Sequence, residues 1–471
     1  MPHTLPNQLI IMSDEHSRKV LKCYGNSVVE TPNIDRLAAR GTLFENAYTS
    51  VPICVPARAT FATGQYGHAT GHWDNATPYN GEPDSWGHAL QEAGIDVGSI
   101  GKLHYRNAED PTGLDFQEIP MHVMNGIGDV LGCVREPLPK RWKSQNLALN
   151  IGAGRTDYSE YDKHISERAI EWITTRATND NPWVLFVSFI CPHFPLIAPE
   201  EFFALYDGKG LMPTKPRSVP EHPWLAAQRE CFAYDNFNEE RVGTALAAYY
   251  GLVTFIDSLV GSILDALDRA GLTEKTIVYY LSDHGDNMGE RDMWGKSNMY
   301  EESVGIPIVI SGPNVSRDHV CRTPVSLIDM HPTILNAAGL KAASNRPGSS
   351  LLEIACRDDD ADRAVFSEYH AMGSISGAFM LRKGKWKLIY YVGLLPELYD
   401  LTTDPEELFN LGQAAEYATV RAELEKELRL ICDPEQIDAQ AKAAQRKIIE
   451  QHGGVDAVVE KGGFGGTPVP N

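Results

Sequence analysis

Thr276-Ile277-Val278-Tyr279-Tyr280-Leu281-Ser282-Asp283-His284-Gly285-Asp286 is the stretch from which the fold can be read. An uncharged run rich in β-branched and aromatic residues stops abruptly on polar and acidic ones. A short apolar run without alternation is the pattern of a strand covered on both faces, as parallel strands in α/β proteins are. It recurs at Gln8 to Met12, which leads into Ser13-Asp14-Glu15-His16, and at Asp96 to Ile100, Trp183 to Ile190 and Ile306 to Ile310. Helical patterns lie between these runs: Ile34, Leu37, Ala38 and Gly41 follow Thr31-Pro32, and Leu252, Ile256, Leu259, Ile263 and Leu267 trace a single stripe. The alternation predicts an α/β fold, a large, mostly parallel sheet sandwiched by helices.

The texture changes near Ala364. Val365 to Glu368, Ala378 to Arg382, Lys387 to Tyr391 and Leu398 to Tyr399 read as a small antiparallel sheet, and Ala414 to Leu430 and Asp438 to Gln451 as helices. Residues 1–350 are therefore expected to form the main domain, 351–435 a smaller C-terminal α+β domain, and 436–471 a helix and extended tail. Ala342 to Arg363, with its Ser, Asn, Pro, Gly and acids, reads as an exposed connection. The tail from Gly453 is rich in Gly and Pro, with Phe464 as its one large anchor; it is expected to lie on a neighbouring subunit of a homo-oligomer.

Over 471 residues, Lys plus Arg is 42 and Asp plus Glu is 63, a formal charge of −21. Such a chain repels phosphate backbones and anionic lipid, so no nucleic acid and no membrane surface is expected as a partner. With 43% hydrophobic and 22% charged residues there is ample material for a core. Ala245 to Leu267 is apolar but carries Asp257 and Asp265, which argues against a membrane span. The 8 cysteines are scattered with no Cys-x-x-Cys pair, so reduced thiols are expected. The apolar run after Met1 is short and lacks a basic leader, from which a cytoplasmic location is expected.

Chemistry is suggested first by the acids that follow two of the strand runs. Ligands of open α/β sheets collect beyond the carboxyl ends of the strands. Carboxylates raised there by Asp14 and Asp283 would repel each other unless a cation lay between them, which points to a divalent metal; singly, either residue would read as a helix or turn cap. Oxygen donors suit Ca²⁺, Mg²⁺ or Mn²⁺, and a nitrogen from His284 tilts the choice away from Mg²⁺. A third segment is Val51-Pro52-Ile53-Cys54-Val55-Pro56-Ala57-Arg58-Ala59-Thr60-Phe61-Ala62-Thr63-Gly64. A lone cysteine is more often a small buried hydrophobe than a nucleophile, but its surroundings here are specific.

This segment resembles the Cys-x-Pro-x-Arg motif of type I sulfatases and the related phosphonate monoester hydrolases of the alkaline phosphatase superfamily. Further matches follow in order along most of the chain. Thr31-Pro32-Asn33-Ile34-Asp35-Arg36-Leu37-Ala38 and Gly41-Thr42-Leu43-Phe44 are similar to the family's leading helix and strand, and Gly101-Lys102-Leu103-His104 to its Gly-Lys-x-His. Cys191-Pro192-His193-Phe194-Pro195 is similar to its Pro-His-x-Pro, and Lys296 stands where the family has its second lysine. Glu397-Leu398-Tyr399-Asp400-Leu401 is similar to its C-terminal-domain strand. Two departures stand out: Asp14-Glu15 where many members have two aspartates, and Asp283-His284 where many have Asp-Asn. The Asp-His pairing is similar to that of the choline-sulfatase and phosphonate-hydrolase branches.

The resemblance implies an alkaline-phosphatase-like fold and hydrolysis of small-molecule sulfate monoesters, aryl or alkyl. It implies that a maturation enzyme oxidises Cys54 to formylglycine. The hydrated aldehyde offers two hydroxyls on one carbon, one to attack sulfur and one whose deprotonation expels sulfate, which a serine could not do. Asp14, Cys54, Asp283 and His284 would hold one divalent ion, Ca²⁺ or Mn²⁺, and Arg58 would steady the hydrate. Lys102 and Lys296 would hold sulfate oxygens, His193 would protonate the leaving alcohol, His104 would take the hydrate proton, and Asn75 would contact substrate. The alternatives are a phosphonate monoester or phosphodiester hydrolase on the same scaffold, and a silent binding protein that keeps metal and anion without turnover. Trp73, Trp86 and Tyr105 could wall a leaving-group pocket but read more readily as core.

Overall fold

The first strand, β1 (Asn7–Asp14), is buried along its whole length, as its unbroken apolar run requires of a strand flanked on both sides. The computed structural model in which it is seen describes residues 5–177, 181–234, 236–463 and 466–470. The other strands of its sheet are β2 (Gly41–Phe44), β3 (Asp96–Lys102), β4 (Phe116–Met121), β5 (Trp183–Pro192), β6 (Thr276–Ser282), β7 (Ile308–Ser311) and β8 (His319–Cys321). Among the described residues these eight strands run in the order β8-β2-β7-β6-β1-β5-β3-β4. β1 lies parallel to both neighbours, with Ile10 opposite Phe186 of β5 and Tyr279 of β6. Its side chains divide by parity: Leu9 and Ile11 enter one core layer and Ile10 and Met12 the other.

The mostly parallel sheet expected from sequence is present, and β7 is the exception within it. It runs antiparallel to β6 and β2. The chain between β6 and β7 holds only short helical turns such as Glu301–Val304 and no helix long enough to serve as the usual crossover of a parallel pair.

Helices cover both faces, among them α1 (Pro32–Ala39), α2 (Cys54–Thr63), α3 (Asp157–Thr175) and α4 (Glu239–Arg269). By length and composition α4 could cross a membrane, but 78% of its most apolar window is buried inside the protein. Asp257, which argued against a span, accepts hydrogen bonds from the backbone N–H of Asn33 (3.1 Å) and Ile34 (2.8 Å) and so caps the first turn of α1. Every residue of α2 is buried. It ends at Gly64, whose φ of 64° is left-handed and where a Cβ would come within 2.6 Å of His331.

The smaller sheet contains β9 (Val365–Tyr369), β10 (Ala378–Lys383), β11 (Trp386–Tyr391) and β12 (Glu397–Asp400), antiparallel and in chain order. Helices α5 (Ala418–Ile431) and α6 (Pro434–Gln451) follow. The connection read as exposed is so at Asp358, Asp359 and Asp360, but Leu351 and Ile354 turn inward and join the main core.

The tail departs from its expected place on a neighbouring subunit: it packs on its own chain. Helix α7 (Val455–Lys461) buries Val458 against Ile449, Leu131 and Val134. The Gly- and Pro-rich segment beyond offers carbonyls instead of side chains, accepting from Lys143 Nζ at Gly463 (2.7 Å) and from the Tyr158 hydroxyl at Thr467 (2.7 Å). Phe464 lies outside the described residues.

The small sheet is tied to the main body by charge. Lys387 of β11, fully buried, reaches Glu301 (2.9 Å) ahead of β7 and Glu407 (2.7 Å) after β12. Removing one partner of a buried ion pair strands the other charge. Lys387→Ala is therefore expected to destabilise the protein by about 3–5 kcal/mol, read from the midpoint of urea unfolding; an unchanged midpoint would show that water already satisfies these carboxylates.

Candidate active site

The carboxyl ends of four main-sheet strands meet at one place. Asp14 ends β1, Lys102 ends β3, His193 follows β5 and Asp283 follows β6. The registers of β1 with β6, which pair Ser13 with Ser282, bring Asp14 and Asp283 side by side. Both are completely buried, so their charges need compensation. Arg58 supplies it: Nη2 donates to Asp14 Oδ2 and Nε to Asp283 Oδ2, each at 2.9 Å. Its Nη1 donates to the Lys102 carbonyl and the Ser188 hydroxyl, both at 2.8 Å.

With both Oδ2 atoms engaged by Arg58, the Oδ1 atoms face a common centre. Cys54, the first residue of α2, places Sγ 3.4 Å from Asp14 Oδ1 and 3.1 Å from His284 Nε2. His284 Nε2 stands 3.7 Å from Asp283 Oδ1 and 4.0 Å from Asp14 Oδ1. The other ring nitrogen, Nδ1, faces the Gly285 carbonyl at 3.0 Å, and donation there leaves the Nε2 lone pair directed at the centre. The donor atoms of Asp14, Cys54, Asp283 and His284 all lie within 4.8 Å of one another. Ligands at about 2.3–2.6 Å from Ca²⁺ cannot be more than about 5 Å apart, so the group fits a single ion, and two carboxylates with an imidazole suit Mn²⁺ equally.

Electrostatics separate the two carboxylates. Burial opposes the Asp14 anion, but Lys102 and Arg58 outweigh it and hold the carboxyl well below its usual range. Burial, with Asp14 next to it, pushes Asp283 up. Burial and the Asp14 charge push the Cys54 thiol up as well, which makes an unmodified thiolate a poor prospect here.

A cavity of about 550 Å³ opens onto this centre, and Cys54, Asn75, Lys102, His104, His193 and Lys296 all line it. Lys102 Nζ is 2.8 Å from Asp14 Oδ2, and Lys296 Nζ is 2.6 Å from Glu15 Oε2. Sequence alone leaves the role of Glu15 open. Its backbone is left-handed, with φ of 64°, and its carboxylate reaches Lys296 and His193, whose Nε2 is 3.4 Å away, while an oxygen of it stays within 4.8 Å of Asp14 in a second group of possible metal donors, Asp14, Glu15 and His193. Burial pushes Glu15 up to about 8 against the pull of Lys296. His193 Nδ1 faces the Phe194 carbonyl at 2.8 Å, so Nε2 is the nitrogen free to exchange a proton. His104, with φ of 54°, has neither ring nitrogen paired among the described residues. Asn75 Oδ1 accepts from the Val55 N–H (3.3 Å), tying this loop to the first turn of α2.

All the residues singled out in the sequence thus converge. Trp86 and Tyr105 belong to the main core and Trp73 to the core under the small sheet. The aromatic lining comes instead from Trp142, Tyr158, Phe194, Phe232, Tyr234 and Trp294. No local signal marks these, since they are assembled from separate loops.

Buried cations beside the acidic and imidazole donors on the floor of a pocket select an anion and polarise it, which defines a hydrolase of anionic esters on an alkaline-phosphatase-like fold. The chain belongs to the sulfatase family and is a sulfuric ester hydrolase: the Sulfatase family profile matches residues 6–340, and that of the N-sulphoglucosamine sulphohydrolase C-terminal region matches residues 289–433. It is 32% identical over 425 residues to choline-sulfatase of Rhizobium meliloti (strain 1021), covering 87% of this chain and 82% of that one. It is 29% identical over 465 residues to arylsulfatase K of Bos taurus, covering 92% and 83%. Phosphonate monoester hydrolase of Agrobacterium radiobacter superposes with a TM-score of 0.74 at 23% identity over 90% of this chain and 95% of that one, a likeness of fold.

Arg58 is the test of how the site holds together. In metal-free protein, Arg58→Met leaves two buried carboxylates without their shared partner and is expected to cost about 3–5 kcal/mol. Urea unfolding in the presence of a chelator measures it; a loss below about 1 kcal/mol would mean that Lys102 alone suffices.

Proposed function

We propose that the protein hydrolyses sulfate monoesters with Cys54, oxidised to formylglycine by a maturation enzyme, as nucleophile, and with one divalent cation, Ca²⁺ or Mn²⁺, at the centre of Asp14, Asp283, His284 and residue 54. The observation that carries this reading is the placement of Cys54 Sγ within 3.4 Å of both a carboxylate oxygen and an imidazole nitrogen, at the floor of a cavity lined by two lysines. When bound, the cation supplies neutralisation of the sulfate oxygens and acidity for a hydroxyl on residue 54.

The chain's own residues do the rest. Lys102, paired with Asp14, and Lys296, paired with Glu15, line the cavity as point charges and draw the sulfate group down onto residue 54. Arg58 keeps both carboxylates turned so that one oxygen of each is left for the centre. His104, buried and with neither ring nitrogen paired among the described residues, takes the proton of the second hydroxyl of residue 54 after sulfur has been attacked, so that the C–O bond to sulfate breaks and the aldehyde re-forms. His193 offers Nε2 to the leaving alcohol. Burial, Lys296 and Lys102 hold its pKa well below the usual range, and the negative charge of a bound ester offsets those lysines and favours the proton it must donate. Asn75 orients the first turn of α2 and contacts the leaving group.

Two measurements test this. Peptide mass spectrometry of protein made with the maturation enzyme is expected to show an aldehyde at position 54, with Cys54→Ala losing turnover; a fully active preparation with an intact thiol, or a large preference for an aryl phosphonate over the matching aryl sulfate, would overturn the proposal. His193→Ala is expected to lower kcat on an alkyl sulfate by about 10²–10⁴-fold and on 4-nitrophenyl sulfate, whose leaving group needs no proton, by far less. Equal losses on both would remove His193 from the role of acid.

A further inference from the structure

The inner wall of the cavity accounts for the sulfate group; its outer wall is also charged and has no role in that reading. Lys140, Trp142 and Lys143 reach it from the loop after residue 139, and Lys461 from the last residue of α7. In a chain with a formal charge of −21, such a gathering of cations goes against the average. Their compensation is thin. Lys140 has a single distant carboxylate, Glu230 at 3.7 Å, itself exposed. Lys143 donates to the neutral carbonyl of Gly463 at 2.7 Å, and among the described residues neither Lys143 nor Lys461 has an ion-pair partner. The acids that share the cavity lining are Asp129 and Glu460. Asp129 is already bound to Arg141 at 2.7 Å, so it does not offset the lysines. Arg141 carries a second mark of an unmet partner: its Nη1, a donor, is buried without a hydrogen bond among the described residues, on a side chain nine-tenths buried. Trp142, 62% exposed, stands beside them with Lys140 Nζ over its ring, 5.5 Å from the centroid.

We propose that this outer wall binds a second anionic group, a carboxylate or a further sulfate, on the alcohol part of the substrate. Resting on the reading of the site as a sulfate-ester centre, the inference specifies the substrate class: a ring-bearing ester with at least two negative charges, its ring against Trp142 and its second anion among Lys140, Lys143 and Lys461. A cavity of about 550 Å³ lies within the range of about 300–1,000 Å³ that holds ligands of that size. A cationic leaving group would meet three like charges with no free carboxylate but Glu460 to receive it.

The test uses full-length protein in which the aldehyde at position 54 has been verified, and a ring-matched series: phenyl sulfate, 3-carboxyphenyl sulfate, benzene-1,3-diyl bis-sulfate and 3-(trimethylammonio)phenyl sulfate. The expected order of kcat/KM places the carboxylated and bis-sulfated esters above phenyl sulfate and the ammonium ester below it, with KM carrying the difference and higher ionic strength compressing it. Lys143→Ala with Lys461→Ala, both at exposed positions, is expected to cost the doubly charged esters about tenfold more than phenyl sulfate, and Lys143→Glu with Lys461→Glu to reverse the order toward the ammonium ester. Equal use of all four esters, or an order that the lysine variants leave in place, would overturn the inference while leaving the sulfatase reading intact. If no ester were turned over, the sulfatase reading would fail instead. Calorimetric binding of the same esters to the Cys54→Ala protein would then judge the outer wall alone, with a preference for the doubly charged esters supporting it and equal affinities refuting it.

Discussion

Two carboxylates buried side by side constrain everything around them. The parallel pairing of β1 and β6 puts Asp14 and Asp283 at adjacent strand ends, where water is excluded and like charges cannot both persist without a cation. A lysine could face one of them. Arg58, with its planar fork, binds both and still reaches the Lys102 carbonyl and Ser188, so a single guanidinium ties together the ends of β1, β3, β5 and β6. Because Arg58 must sit at that depth, α2 is drawn wholly into the core. Cys54 lies one helical turn before it, on the same face. The position of the proposed nucleophile is thus a consequence of how the carboxylates are neutralised.

The small domain enters the same logic through the segment that carries Lys296. Arg291 donates to the carbonyls of Glu406 (2.6 Å) and Glu407 (3.1 Å) beyond β12 and to Glu302 (3.1 Å). Lys19 and Lys215 bind Glu302 as well. Buried ion pairs are weak sources of stability, since desolvation offsets most of their attraction. Their directional bonds nevertheless fix the backbone on the C-terminal side of β6, from Glu290 to Glu302, and with it the lysine that leans on Glu15.

What is legible in the sequence follows from the range of the forces involved. Strands buried on both faces betray themselves locally, so Gln8 to Met12, Trp183 to Ile190 and Thr276 to Leu281 are legible, whereas the direction of β7 depends on whether its connection builds a crossover helix and β4 is only half-buried along most of its length. The chemistry of Cys54, Arg58, Lys102, His104, His193 and Lys296 is legible because each stands in a short motif. The Glu15–Lys296 bond spans 281 residues and has no motif. Nor do the aromatics of the cavity wall or the return of the tail, where Val458 alone of its helix is buried, against Ile449, Leu131 and Val134. Trp73 and Trp86, conspicuous in sequence beside the substrate motifs, are core.

The departures at positions 15 and 284 are best understood together. A carboxylate at 15 that joined Asp14 and Asp283 would put three anions on one buried centre, with Arg58 already committed to two of them. Glu15 avoids this through a left-handed backbone and a side chain long enough to reach Lys296, leaving a place among the donors that an imidazole fills without adding charge. His284 is suited to that because the Gly285 carbonyl fixes its tautomer. Two carboxylates and one imidazole would then face a divalent cation held there, and a sulfate ester would bring the remaining negative charge. A third carboxylate in the donor set would compete with an anionic substrate for the same cations, and the bond of Glu15 to Lys296 counters that competition.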